Sequence, residues 1–138
     1  MASAGSSRGD RARPLSPHLQ IYTPQINMVM SIIHRMTGVA LYFGTLLLVY
    51  WLVSAASGPE AFEFANGLFG SLIGRLILLG YTWALLHHMF GGIRHLIWDT
   101  GKGLSIASAD MLCWVSVIAS LVLTVVIWVM AGGFQGVI

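Results

Sequence analysis

MTGVALYFGTLLLVYWLVSAA, residues 36–56, is a run of 21 residues without a charge. A helix needs about 20 such residues to cross the hydrocarbon core of a bilayer. Tyr50 and Trp51, near the far end of the run, match an aromatic belt at a membrane interface. Ser57-Gly58-Pro59 then breaks the helix. Upstream, the same helix extends back to Ile26, through a polar group formed by Ser31, His34, Arg35 and Thr37.

The rest of the chain agrees with a lipid solvent. Of its 138 residues 57% are hydrophobic and 9% charged, against about 25% charged in a soluble domain. A second span is expected over residues 68–97, with Arg75 near its start and a histidine cluster near its end; Gly101 and Gly103 close it. The third is expected over 111–134, an uncharged run for which Asp110 offers an N-cap. The segment between the first two spans reads as a loop, with Glu60 and Glu63 alternating with Phe62 and Phe64. No strand alternation is present, so a β-barrel is disfavoured. The fold class is therefore an all-α membrane protein, with an N-terminal segment over 1–25 and a three-helix domain over 26–138.

The N-terminal segment is Ser/Gly/Arg-rich up to Arg13, as a flexible tail would be, and no apolar stretch or cleavage site follows it. Pro14, Pro17 and Pro24 rule out one continuous helix beyond it. Leu15, Leu19, Ile21 and Tyr22 can rest at the interface. Arg8, Arg11, Arg13 and Arg35 fall on one side of a three-span arrangement, and Arg94 and Lys102 fall on the same side. The positive-inside rule puts that side, and the N-terminus, in the cytoplasm and the C-terminus in the periplasm. Arg75 is the exception. The net charge of +2 gives no reason to expect nucleic acid. Cys113, the single cysteine, reads as a small lipid- or core-facing hydrophobe.

Two polar groups then converge on the cytoplasmic end. On the second span are His87, His88, Arg94, His95 and Asp99. Neutral imidazole is a good ligand for haem iron, and a flat macrocycle needs small neighbours. Ala84, Gly91 and Gly92 share the face of His88 and leave a slot there. His87 is rotated by about 100° and points elsewhere. His88 and His95 share a face but stand about 10 Å apart along the axis, too far to hold one iron. A second ligand must come from elsewhere, either His34 or another subunit, and spacing does not choose. The plainer alternative is a histidine that hydrogen-bonds a neighbouring helix. Arg35, Arg94, His34 and His95 can meet haem propionates, and Arg94 can equally be a flanking cation.

On the first span, Ser31 and Arg35 share a face, continued by Gly38. A hydroxyl and a guanidinium facing one space can hold a quinone carbonyl. The alternative is that Arg35 anchors the helix to lipid headgroups and Ser31 bonds its own backbone. The methionines, and Trp51, Trp98, Trp114 and Trp128, read as packing and interfacial anchors. No P-loop, nucleophile triad, CxxC or carboxylate pair is present, so hydrolysis and phosphoryl transfer are not expected of this chain. A proton-conducting protein would need polar groups through the whole membrane depth. The outer half offers Arg75 alone.

RPLSPHLQIY (13–22), followed by SIIHRMTG (31–38), resembles the first signature of the cytochrome b subunits of succinate dehydrogenase, respiratory complex II. HMFGGIRHLIWDTG (88–101) resembles the second, H-x-x-x-G-x-R-H-x-x-x-D, with no departure at a signature position. The resemblance implies a membrane anchor of a four-subunit succinate:ubiquinone oxidoreductase. A flavoprotein subunit would oxidise succinate and an iron–sulfur subunit would pass electrons on. Two small anchors would share haem b and help form the ubiquinone-reduction site. By position, His88 resembles the axial haem ligand, with the other histidine from the sister anchor. Ser31 and Arg35 resemble quinone-site residues, and His34, Arg35 and His95 lie towards the propionates. The short N-terminal tail favours a bacterial inner membrane over a mitochondrial one. A fumarate reductase anchor working in reverse, or a structural anchor without haem, are the other readings.

Overall fold

The computed structural model of the chain describes residues 16–132. The expected tail over 1–13, its arginines, Leu15 and the last residues of the expected third span lie outside that range. A single 3-10 turn, His18–Ile21, precedes four helices: α1 Ile26–Ser57, α2 Pro59–Gly70, α3 Leu72–Asp99 and α4 Ile106–Met130. Pro17 and Pro24 bracket that turn, and Ile21 and Tyr22 are exposed. Among the described residues, α1, α3 and α4 are the three helices long and apolar enough to cross a membrane. The all-α class and the number of spans are as expected.

These helices invert the order of a soluble core. Phe43 and Leu46 are about 60% exposed, whereas Thr37, Ser54, Ser116, Ser120 and Thr124 are buried. With lipid outside, a large apolar side chain gains nothing by moving inward. Small and weakly polar residues instead let helix backbones approach closely. Gly44 shows this where α1 meets α3, since a Cβ there would collide with the Tyr81 ring. On α4, Cys113, Ser116, Ser120 and Thr124 recur at helical spacing and form one buried seam. The Ser116, Ser120 and Thr124 hydroxyls donate to carbonyls of their own helix, at 2.7–2.8 Å. That satisfies their protons without a cross-helix partner.

The segment expected as a loop is helix α2. Its 12 residues reach about 18 Å, too short to cross, so it is a surface helix. Pro59 at its first turn starts it. Ala65 is fully buried and Phe62 and Phe69 are half-buried, while Glu60, Glu63 and Phe64 are exposed. The Trp51 indole donates to Asn66 Oδ1 at 3.0 Å and ties α2 to α1. The ring of Phe62 lies 5.6 Å from that of Trp51.

Two other boundaries differ from expectation. α3 begins at Leu72, where Ser71 caps it by accepting from the Gly74 amide at 3.1 Å. α4 begins at Ile106, with Ser105 as its cap. Asp110 is therefore not the cap. It lies one turn inside the helix and accepts from Asn27 Nδ2 at 2.7 Å. Between α3 and α4, Gly101 and Gly103 take positive φ of 77° and 71°, a conformation that needs glycine. The turn is closed by the Trp98 indole donating to the Gly103 carbonyl at 3.2 Å.

Candidate functional site

α1 and α3 run antiparallel, and so do α3 and α4. The start of α1, the end of α3 and the start of α4 consequently share one end of the bundle, which also carries Arg35, Arg94 and Lys102. The two polar groups of the sequence meet there. The His34 and His88 rings stack face to face, centroids 4.0 Å apart and planes 6° apart. The His95 ring lies 5.5 Å from His34, tilted by 56°. All three histidines thus form one cluster with His34 at its centre.

Close approach of α1 and α3 produces the stack. A Cβ on Gly91 would collide with the His34 ring, and one on Gly38 would meet His88 Cε1 at 3.1 Å. Glycine at both positions lets each imidazole lie against the opposing helix. The slot expected beside His88 is accordingly filled at Gly91 by the His34 ring. It stays open at Gly92, where a Cβ would meet nothing within 4 Å.

The surroundings of His88 select its tautomer. Its Nδ1 lies 3.2 Å from the His34 carbonyl and 3.4 Å from Thr37 Oγ1. The Thr37 hydroxyl donates its own proton to that same carbonyl at 2.9 Å. A carbonyl only accepts, so Nδ1 carries the proton and donates. The Nε2 lone pair is left as the ligating position of a neutral imidazole. A histidine that binds metal through one nitrogen while its other N–H is held by a backbone carbonyl has the arrangement that haem ligation requires. His88 therefore fits a haem.

His34 and His88 do not fit as a pair of trans ligands on one iron. Rings stacked face to face at 4.0 Å leave no room between them for a metal and its macrocycle. His34 Nδ1 is buried with no hydrogen-bond partner among the described residues. Ser31 is half-buried and Arg35 exposed. Among the described residues no hydrogen bond or ion pair joins either to the histidines.

Arg94 departs from the flanking placement expected of it. It is 3% exposed, turned inward against α4 instead of flanking the bundle. Its Nη1 donates to Cys113 Sγ at 3.3 Å, and its guanidinium lies 5.2 Å from the centre of the Trp98 ring. The Cys113 thiol donates to Asn27 Oδ1 at 2.9 Å, and Asn27 donates on to Asp110. This chain of four side chains locks α1, α3 and α4 together and links a buried cation to a carboxylate. Cys113 is core-facing, as one of its two expected placements had it, but it is also a hydrogen-bonding link. The sequence signal for this chain was weak: Asn27 and Asp110 stand 83 residues apart.

His87 is 1% exposed and enclosed within the chain. Its ring lies 5.3 Å from that of Trp83.

Three apolar spans with a histidine cluster inside one end define an all-helical integral membrane protein. Residues 9–127 match the family described as succinate dehydrogenase/fumarate reductase transmembrane subunit. The chain is 42% identical over 117 residues to the succinate dehydrogenase cytochrome b556 subunit of Rickettsia typhi, covering 85% of this chain and 91% of that one. It is 43% identical over 122 residues to the cytochrome b556 subunit of Paracoccus denitrificans, covering 88% and 92%. To the mitochondrial cytochrome b560 subunit of Sus scrofa it is 46% identical over 99 residues, covering 68% and 57%. The chain belongs to the succinate dehydrogenase/fumarate reductase transmembrane subunit family, as a cytochrome b subunit and an integral membrane protein.

Proposed function

We propose that this chain is the haem- and quinone-binding anchor of a succinate:ubiquinone oxidoreductase. The observation that carries the reading is the hydrogen bond from His88 Nδ1 to the His34 carbonyl, which prepares Nε2 for iron. A haem b held there supplies a one-electron redox centre. Thr37 and the His34 carbonyl hold the imidazole in one orientation, and Gly38 lets the ring lie against α1. The close stack of His34 on His88 supports a second small membrane subunit as the source of the other histidine. Arg35 and His95, exposed at the same end, offer cationic and hydrogen-bonding partners for the propionates.

Ser31 and Arg35 lie one turn apart on α1 and present a hydroxyl and a guanidinium to the same space. In this reading they bind and orient the ubiquinone headgroup through its carbonyl oxygen. A flavoprotein subunit and an iron–sulfur subunit dock at this end and deliver the electrons of succinate oxidation. The basic residues at this end support a cytoplasmic location for it, in a bacterial inner membrane.

Arg35→Ala in the purified complex tests the quinone half. Loss of a charged hydrogen bond removes about 1.5–3 kcal/mol, so ubiquinone reduction is expected to fall by about one to two orders of magnitude. Succinate oxidation with an artificial acceptor continues. Normal quinone kinetics in that variant would remove Arg35 from the site.

A further inference from the structure

The seam between α3 and α4 contains more buried polar groups than it pairs. Both ring nitrogens of His87 are buried without a hydrogen-bond partner, and so are Trp83 Nε1 and Arg94 Nε. Trp83 and His87 are one turn apart on α3, and their rings are in contact. On this seam Thr82 accepts from the Trp128 indole at 3.2 Å, and Arg94 donates to Cys113. Those two ties set an antiparallel register. It places His87 opposite the part of α4 that carries Ser116, Ser120 and Thr124.

The chemistry of the groups selects what can pair them. The three α4 hydroxyls have already given their protons to their own helix, so their oxygens face the seam as acceptors only. Trp83 Nε1 is a donor only, and a neutral His87 is one donor and one acceptor. No direct bond joins them. A bridging group must accept from the indole or imidazole N–H and also donate to an imidazole nitrogen or a hydroxyl oxygen. Water does both, and a buried water characteristically makes two to four bonds to otherwise unpaired groups. A cation is opposed by Arg94 on the same face of α3. An anion would lose its hydration, and the guanidinium charge is already linked to Asp110 through Cys113 and Asn27.

We propose that the α3–α4 seam holds an internal water site, with His87 as its principal ligand and Trp83 and the α4 hydroxyls as the surrounding partners. The site is separate from the histidine cluster at the α1–α3 contact. It makes His87 a polar tie between two spans through water, and it stands whether or not the haem and quinone roles hold.

The test is a structure of the intact membrane complex at a resolution that shows ordered water, for wild type and for His87→Phe. The expected wild-type result is a discrete density peak within about 3.2 Å of a His87 ring nitrogen, absent in His87→Phe. The b-haem spectrum of the variant is expected to be unchanged. Should His87→Phe fail to assemble, His87→Gln, which keeps a donor and an acceptor, is expected to assemble and retain the peak. A closed seam without density in wild type would overturn the proposal. So would a direct bond from His87 to a protein group, persistence of the peak in His87→Phe, or a spectral change that makes His87 part of the haem site.

Discussion

At the scale of single residues, the histidine cluster depends on two glycines and a threonine as much as on its imidazoles. Gly91 accepts the His34 ring against its Cα. Gly91→Ala should displace His34 from the stack at a cost of about 1–3 kcal/mol. A lowered melting temperature of the detergent-solubilised complex would show it, and an unchanged one would mean that the ring moves freely. Thr37 flanks His88 Nδ1 and bonds the carbonyl that orients it. Losses of such supporting partners cost about 10–100-fold in metal-site affinity, so Thr37→Val should retain less haem after purification while His88 stays the ligand. Haem retention equal to wild type would show that the carbonyl alone suffices. Helical periodicity already distinguished His88 from His87, because neighbours on a helix diverge by about 100°. The His34–His88 stack was not legible. It depends on where α1 crosses α3, which no local pattern encodes.

At the scale of elements, the spans were legible because lipid imposes a length and an apolar composition. α2 was not read as a helix because two glutamates and a Gly-Pro break suggested a loop. Its signal was present in Pro59 at the start and in Ala61, Phe62, Ala65 and Phe69, which recur at helical spacing. The inward turn of Arg94 was equally hidden. An arginine near a helix end has the same sequence signature whether it faces water or Cys113. The chain Arg94–Cys113–Asn27–Asp110 replaces what apolar packing does in a soluble bundle, since burying aliphatic surface gains little against lipid. Asn27→Leu removes its central donor and acceptor and should destabilise the helix assembly by about 1–3 kcal/mol. Cys113→Ser keeps both functions and should melt within about 0.5 kcal/mol of wild type. Equal melting of the Asn27→Leu variant and wild type would show that the chain holds nothing together.

At the scale of the whole molecule, three spans put the α1–α2 connection and the α3–α4 turn on opposite sides of the membrane. Single cysteines introduced into a Cys113→Ser background report this directly. One at Lys102 should react with an impermeant thiol reagent from the cytoplasmic side, and one at Glu60 from the opposite side. The reverse pattern would invert the orientation taken from the basic residues. The distribution of polar groups also bears on the proposed second membrane subunit. Most large apolar side chains face outward, much of the interior is small or polar, and the His88 imidazole, the proposed ligand, is tied to its own chain at Nδ1. On the proposed reading this chain supplies half a haem site. The most direct measurement is the reduced-minus-oxidised absorption spectrum of the purified four-subunit complex, for wild type, His88→Ala and His87→Ala. A b-type haem spectrum in wild type, kept in His87→Ala and lost or converted to altered ligation in His88→Ala, is the predicted result. A wild-type complex without b-type haem, or one whose spectrum survives His88→Ala unchanged, would contradict it.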